Sequence, residues 1–349
     1  MSEQKNIRPV SLDDAMERVK YYLRKFTANS LKGTKTGAVL EDVIGSSGKM
    51  VRPRLLVLCS AFGPECPERS ENICKLAAMV EMTHMASLIH DDIVDEAPFR
   101  RGLPSIQKKY GKDAAVYAGD FLISRVHYRQ AKEGLNDAAM ILSETVEKMC
   151  VGEIGQAMYR YDEKVTKEQY LRNIRGKTAA LFKAACVIGA MESGCDDDVT
   201  ESLGKLGETV GMIFQLRDDL LDFNSDKDHA GKETHKDFFD GIYTMPVLLA
   251  ADSPEAGETI IRLMKENAVR RLDQDEIRLM EQTVVQGGGI EATMEMIRGY
   301  TSTCREILDA LTGNGSGEDI GPETAGEFRQ RQIKAAGTIR KMLDRFDEF

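Results

Sequence analysis

Positive charge is scarce: 47 Lys and Arg against 57 Asp and Glu leave the 349-residue chain with a formal net charge of -10. A nucleic-acid backbone needs a basic field, so that class of partner is excluded. Tryptophan is absent, and no series of alternating β-branched residues reads as strands. Ala, Leu, Met, Glu, Lys and Arg dominate instead, with 17 methionines, and this composition predicts an all-α fold. No CxxC pair occurs among Cys59, Cys66, Cys74, Cys150, Cys186, Cys195 and Cys304, and their number is odd. Zinc sites and disulfide frameworks are therefore disfavoured, and the thiols read as reduced ones of a cytoplasmic protein. No apolar run approaches the roughly 20 residues of a membrane span, and the first ten residues, MSEQKNIRPV, carry no signal-peptide core. Phosphate-binding Gly-x-x-x-x-Gly-Lys-Ser/Thr, dinucleotide Gly-x-Gly-x-x-Gly, Gly-x-Ser-x-Gly and His-x-x-x-His are all missing. Nucleotide hydrolysis, hydride transfer, serine acylation and zinc chemistry lose their support with them.

What is present is a motif written twice. Asp-Asp-x-x-Asp occurs at Asp91, Asp92 and Asp95 and again at Asp218, Asp219 and Asp222, each time at the end of an apolar helical run. On a helix the first and third aspartates share a face, so each motif offers paired carboxylates. An acidic i,i+4 pair also marks a solvated face. Against that, Ile73, Ala77, Val80, His84 and Leu88 form a stripe that the first motif continues, which predicts inward-pointing acids. Gly207, Gly211 and Gln215 precede the second motif on one face, leaving room for a packed helix or a ligand. Carboxylates this close call for a hard cation, and Mg²⁺ prefers one or two carboxylates plus phosphate oxygens. A diphosphate substrate is the expectation.

Basic residues that could meet such a substrate lie in four places. Gly48-Lys49-Met50-Val51-Arg52-Pro53 presents a lysine and an arginine ahead of a helix that Pro53 could open. Arg100 and Arg101 precede Gly102 just past the first acidic run. Lys177 shares a stripe with Tyr170, Ile174 and Leu181, where it either snorkels or meets an anion. Lys232 follows Gly231 after the second motif. His84, two turns before Asp91, suits a core histidine as well as a ligand, and His90 adjoins the acids. Helix starts are expected at Ser11 and at Thr166, three residues before Gln169. Gly287–Gly289 and residues 313–322 read as loops, the second a flexible one, and nothing between 40 and 300 reads as a linker, so one domain over 1–349 is expected.

Taken in order, these elements resemble the trans-isoprenyl diphosphate synthases, the polyprenyl synthetase family, over roughly residues 40 to 310. The carriers are Glu81 to Asp95 with Arg100-Arg101-Gly102, Gly152-Glu153-Ile154-Gly155-Gln156, Gly176-Lys177-Thr178-Ala179-Ala180-Leu181-Phe182, and Phe214 to Asp222. The resemblance implies antiparallel helices around a deep central cavity, usually in a homodimer. It implies that isopentenyl diphosphate is added to an allylic diphosphate after the latter ionises. By the same carry-over, Asp91, Asp95 and Asp218 would hold three Mg²⁺ ions on the allylic diphosphate, with Asp92 and Asp222 in supporting or water-bridged roles and Asp219 as a further metal residue of the second cluster. Arg100, Lys177, Thr178 and Lys232 would hold the allylic diphosphate, and Gln215 would lie beside the reacting carbons. Lys49, Arg52, His84 and Arg101 would hold isopentenyl diphosphate, and the departing diphosphate would take the proton.

Two positions depart from the family pattern: Ile242 stands where a lysine is usual, and His235 where many members have glycine. Tail length is read at Ala86, five residues or about 7.5 Å before Asp91 along a helix. An aromatic there closes the cavity in the family, whereas Ala86 beside Ser87 would let the tail pass. A hexaprenyl to octaprenyl product that partitions to membranes is expected. The same run resembles catalytic subunits of two-component enzymes, so a small regulatory subunit is a further expected partner. A short-chain farnesyl or geranylgeranyl synthase, a terpene cyclase and a non-catalytic scaffold subunit are the rivals; intact aspartates in both motifs speak against the last two.

Overall fold

Every long periodic segment is helical in the structure, a computed structural model that describes residues 11–27, 31–45, 48–64, 67–223, 235–313 and 322–347. Its contacts divide the chain into two compact units. The first comprises residues 1–146, 181–204 and 311–339, the second 147–180, 205–310 and 340–349. The only strands among the described residues are two residues long.

In the first unit, helix α1 (Leu12–Thr27) starts where Ser11 accepts the Asp14 amide at 3.1 Å. Helices α2 (Lys35–Gly45), α3 (Val51–Cys59) and α4 (Pro67–Val94) follow. α3 begins two residues before Pro53, because left-handed Met50 (φ 51°) ends the preceding loop and leaves proline within the first turn. α4 packs against α1, α3 and α6 (Lys112–Glu133), and residues 76–83 are buried on every side. After α4 the chain makes a hairpin, β1 (Phe99–Arg100) against β2 (Leu103–Pro104). Its two turn residues, Arg101 (φ 52°) and Gly102 (φ 78°), both take the left-handed backbone of a tight hairpin turn. α5 (Ile106–Tyr110) then leads into α6, and α7 (Asn136–Met158) begins in this unit.

In the second unit, α8 (Lys167–Ile174) opens with the expected capping box between Thr166 and Gln169. One turn of π-helix (Arg175–Ala179) follows, and the chain passes into α9 (Ala180–Ser193), which belongs to the first unit from residue 181 on. α10 (Asp197–Phe223) carries the second acidic motif at its end. α11 (Lys236–Phe239), α12 (Met245–Ala251), α13 (Gly257–Asn267) and α14 (Gln274–Gln286) come next, the last three packed on one another. α15 (Gly289–Gly313) starts at the last glycine of the turn expected at Gly287–Gly289, and α16 (Pro322–Asp347) is last; α16 up to residue 339 and α10 up to residue 204 belong to the first unit. Of the expected loop at 313–322, the end residues belong to these helices and the rest lies outside the described residues.

Candidate active site

The first unit assembles the N-terminal half of the predicted site residues. α4 is buried on every side over residues 76–83, so its apolar stripe does not select which aspartate turns inward. Asp92 does so, at 4% exposure, while Asp91 is half-buried and Asp95 exposed, contrary to the face expected from spacing. The hairpin supplies the reason. It returns Arg100 onto Asp92, with Nε 2.9 Å from both carboxylate oxygens and Nη2 2.8 Å from Oδ1. Ser87 lies one turn before Asp91 on the same face, half-buried, its hydroxyl donating to the His84 carbonyl at 2.9 Å. Ala86 is fully buried.

A basic cluster forms beside this motif. Arg52 is buried, stacks on Phe182 with its guanidinium carbon 4.2 Å from the ring centre, and places Nη1 3.1 Å from His84 Nε2. Arginine only donates, so His84 accepts on Nε2 and is neutral with its proton on Nδ1. Burial, then Arg52, Arg101 and Arg100, push the His84 pKa well below 6.5. Burial also lowers Arg52 to about 10, against the attraction of Glu81. Arg101, at the hairpin tip, presses on the loop before α3: a β-carbon on Gly48 would lie 2.6 Å from its Nη2. Lys49 follows in that loop with its side chain exposed. Glu81, a residue to which spacing assigned no role, is a 3% exposed carboxyl whose pKa burial raises and Arg52 and Arg101 lower. Beside it a cavity of about 200 Å³ is lined by Glu81, Met85, Leu88, Asp92, Arg100 and Arg101, among others.

The second unit assembles the C-terminal half. Here too the middle aspartate is the buried one: Asp219 is 1% exposed, whereas Asp218 is exposed and Asp222 half-buried. Tyr170 donates its hydroxyl to Asp219 Oδ2, and Gln215 Nε2 donates to Oδ1 at 3.1 Å. Thr178 Oγ1 donates to Gln215 Oε1 at 2.7 Å, which fixes the amide's orientation. Lys177, the neighbour of Thr178 in the π turn, lies 3.2 Å from Glu153. Small residues set this turn against α7, since a β-carbon on Gly152 would lie 2.6 Å from the Asn173 carbonyl and one on Gly176 2.6 Å from the Lys148 carbonyl.

Burial raises the Asp219 pKa to about 7, and burial with Asp222 and Asp219 raises Asp237 to about 8. Asp222 is raised by burial as well. Burial and mutual repulsion hold these carboxyls above their ordinary range, and hard oxygen donors of this kind fit a divalent cation such as Mg²⁺. Among the described residues no three His, Cys, Asp or Glu side chains form a ready-made metal cage. Paired carboxylates that await phosphate oxygens suit Mg²⁺ better than such a cage.

The two departures have local explanations. His235 takes φ 59°, the left-handed backbone that glycine adopts without cost, and packs edge-on against Phe223 with ring centres 5.2 Å apart. Ile242 is half-buried and donates its amide to the Asp237 carbonyl at 2.8 Å. Lys232 lies outside the described residues. Tyr170 was visible only as a member of the Lys177 stripe; the signal that could have singled it out is that a buried tyrosine hydroxyl needs a partner.

Comparison with known proteins agrees with the motif order. The polyprenyl synthetase family profile matches residues 34–278. Component 2 of heptaprenyl diphosphate synthase from Geobacillus stearothermophilus is 34% identical over 280 residues, 80% of this chain and 84% of that protein. The heptaprenyl diphosphate synthase structure from Staphylococcus aureus superposes with a TM-score of 0.78 at 25% identity, covering 95% of this chain and 99% of that one. A polyprenyl synthase from Caulobacter crescentus, crystallised with calcium and isoprenyl diphosphate, gives a TM-score of 0.75 at 27% identity over 94% of this chain and 98% of that one. With its all-α fold and both aspartate motifs in sequence order, the chain belongs to the polyprenyl synthetase family.

Proposed function

We propose that this prenyl diphosphate synthase condenses isopentenyl diphosphate with an allylic diphosphate in repeated rounds, making an all-trans product of the hexaprenyl to octaprenyl class. The observation that carries the reading is the shared build of the two motifs. Each buries its middle aspartate against a protein donor, Arg100 for Asp92 and Tyr170 for Asp219. The outer aspartates, Asp91 and Asp95, Asp218 and Asp222, are then the ones assigned to Mg²⁺, three ions in all, with Asp92 and Asp219 bracing them. Bound Mg²⁺ supplies positive charge where the leaving diphosphate becomes more negative.

The chain's own residues do the rest. Lys177 and Thr178, with Arg100 and Lys232, bind the allylic diphosphate; Gln215 lies beside the carbon–oxygen bond that breaks, whose electron pair leaves with the diphosphate. Arg52, Arg101, Lys49 and neutral His84 hold isopentenyl diphosphate, whose double bond forms the new carbon–carbon bond. The proton it loses goes to the released diphosphate. Small Ala86 and Ser87 leave the tail room to lengthen.

The same reading places the chain in the cytoplasm, as one synthase domain in a homodimer. Among the described residues no helix is long and apolar enough to cross a membrane. Val151, Ile154 and Met158 on one face of α7 are 63%, 62% and 75% exposed, which supports a covering second copy. The Geobacillus relative's name, component 2, supports a small regulatory subunit as a further partner.

The test incubates the purified chain with isopentenyl diphosphate, farnesyl diphosphate and Mg²⁺ and reads product mass. Products of six to eight isoprene units are expected, and Asp91→Ala should lower turnover by about a thousandfold. Product that stops at three or four units, or full activity in Asp91→Ala, rejects the respective part of the reading.

A further inference from the structure

The hydroxyl of Tyr170 is one end of a four-residue chain of hydrogen bonds in the second unit. α8 is pinned by its capping box, and the Tyr170 amide donates to the Thr166 carbonyl at 3.0 Å in the first turn. From that fixed base the buried ring reaches Asp219 Oδ2. Asp219 Oδ1 is taken by Gln215 Nε2 at 3.1 Å, and Gln215 Oε1 by Thr178 Oγ1 at 2.7 Å. Each donor and acceptor has one self-consistent direction: Gln215 can present its NH₂ to Asp219 only while its carbonyl faces Thr178. The chain thus begins on α8, crosses to α10 between the outer aspartates' backbone positions, and returns to the π turn beside Lys177.

We propose that Tyr170 is a positioning residue for the second aspartate motif, acting through Asp219 on Gln215 and on the setting of Asp218 and Asp222. It touches none of the reacting atoms. Removing its hydroxyl leaves a 1% exposed carboxylate with one oxygen lacking a donor, so Asp219 turns and the Gln215 amide loses its anchor. Phenylalanine keeps the ring and its packing, so the substitution isolates the hydrogen bond.

The inference rests on the proposed function for its kinetic arm only. Full-length Tyr170→Phe is compared with the unaltered chain in two assays. Calorimetric titration with Mg²⁺ in the presence of inorganic pyrophosphate should give a Kd raised about tenfold. Steady-state turnover should show kcat lowered about tenfold, with the KM for isopentenyl diphosphate unchanged within about twofold, because that substrate is assigned to first-unit residues. A purely structural role would lower the melting temperature and leave Mg²⁺ affinity alone. An Asp219→Asn background supplies the second check: if Tyr170 acts through Asp219, adding Tyr170→Phe to it should change Mg²⁺ affinity little further. Additive losses, or an unchanged Mg²⁺ Kd in the single variant, overturn the proposal. An unaltered chain that makes no prenyl product, yet shows the Mg²⁺ shift, overturns the proposed function and leaves the positioning role standing.

Discussion

His84 shows how one hydrogen bond sets a protonation state. Its Nε2 receives Arg52, and both burial and three guanidinium groups oppose a second proton. In the unfolded chain the same histidine titrates near its ordinary value, so below about pH 6.5 the unfolded state binds the extra proton and the folded state does not. Stability from this residue is complete above that pH and falls as the solution is acidified toward the depressed folded pKa. Replacing His84 by Gln, which keeps an acceptor for Arg52, should flatten the urea-measured stability between about pH 6.5 and 5, by up to about 1.4 kcal/mol per pH unit. An unchanged slope would refute the assignment. At this scale the sequence is only partly legible. Spacing marks all six aspartates but pairs the first and third of each motif on one face; that the middle one turns inward depends on Arg100, eight residues on in a hairpin, and on Tyr170, 49 residues from Asp219. Neither partner is visible to a helical periodicity.

Among the elements, the π turn at Arg175–Ala179 depends on small residues in α7. A methyl group at Gly152 would meet the Asn173 carbonyl at 2.6 Å and the Lys177 amide still closer, and both are backbone atoms that cannot swing aside. Gly152→Ala should therefore cost about 1–3 kcal/mol, seen as a lowered melting temperature, with a loss of turnover as Lys177 is displaced. A variant as stable and active as the parent would show that the turn gives way freely. Helix starts were the most readable elements, because Ser11 and Thr166 signal through local chemistry that survives in the fold. The π turn was not readable: it adds one residue within an apolar pattern that fits an ordinary helix equally well. At α3 the left-handed Met50, rather than proline, marks the entrance.

For the whole molecule, the helical class followed from composition and the family from motif order, whereas assembly leaves a fainter trace. Val151, Ile154 and Met158 recur at helical spacing, which in sequence looks like any core stripe; only their exposure supports the proposed second copy on this face. Ile154→Asp should convert a dimer into a monomer in sedimentation velocity, since a charge at such a face opposes desolvation. A dimer unaffected by it would place the contact elsewhere. The π turn has a further consequence at this scale. Each helical residue advances the spiral by about 100°, so the additional residue at 175–179 sets the rotational phase of its own turn, on which Lys177 meets Glu153 and Thr178 meets Gln215. Losing or gaining one residue there would swing Lys177 and Thr178 off these partners. This short stretch, though partly on the surface, should be intolerant of length changes that ordinary loops absorb.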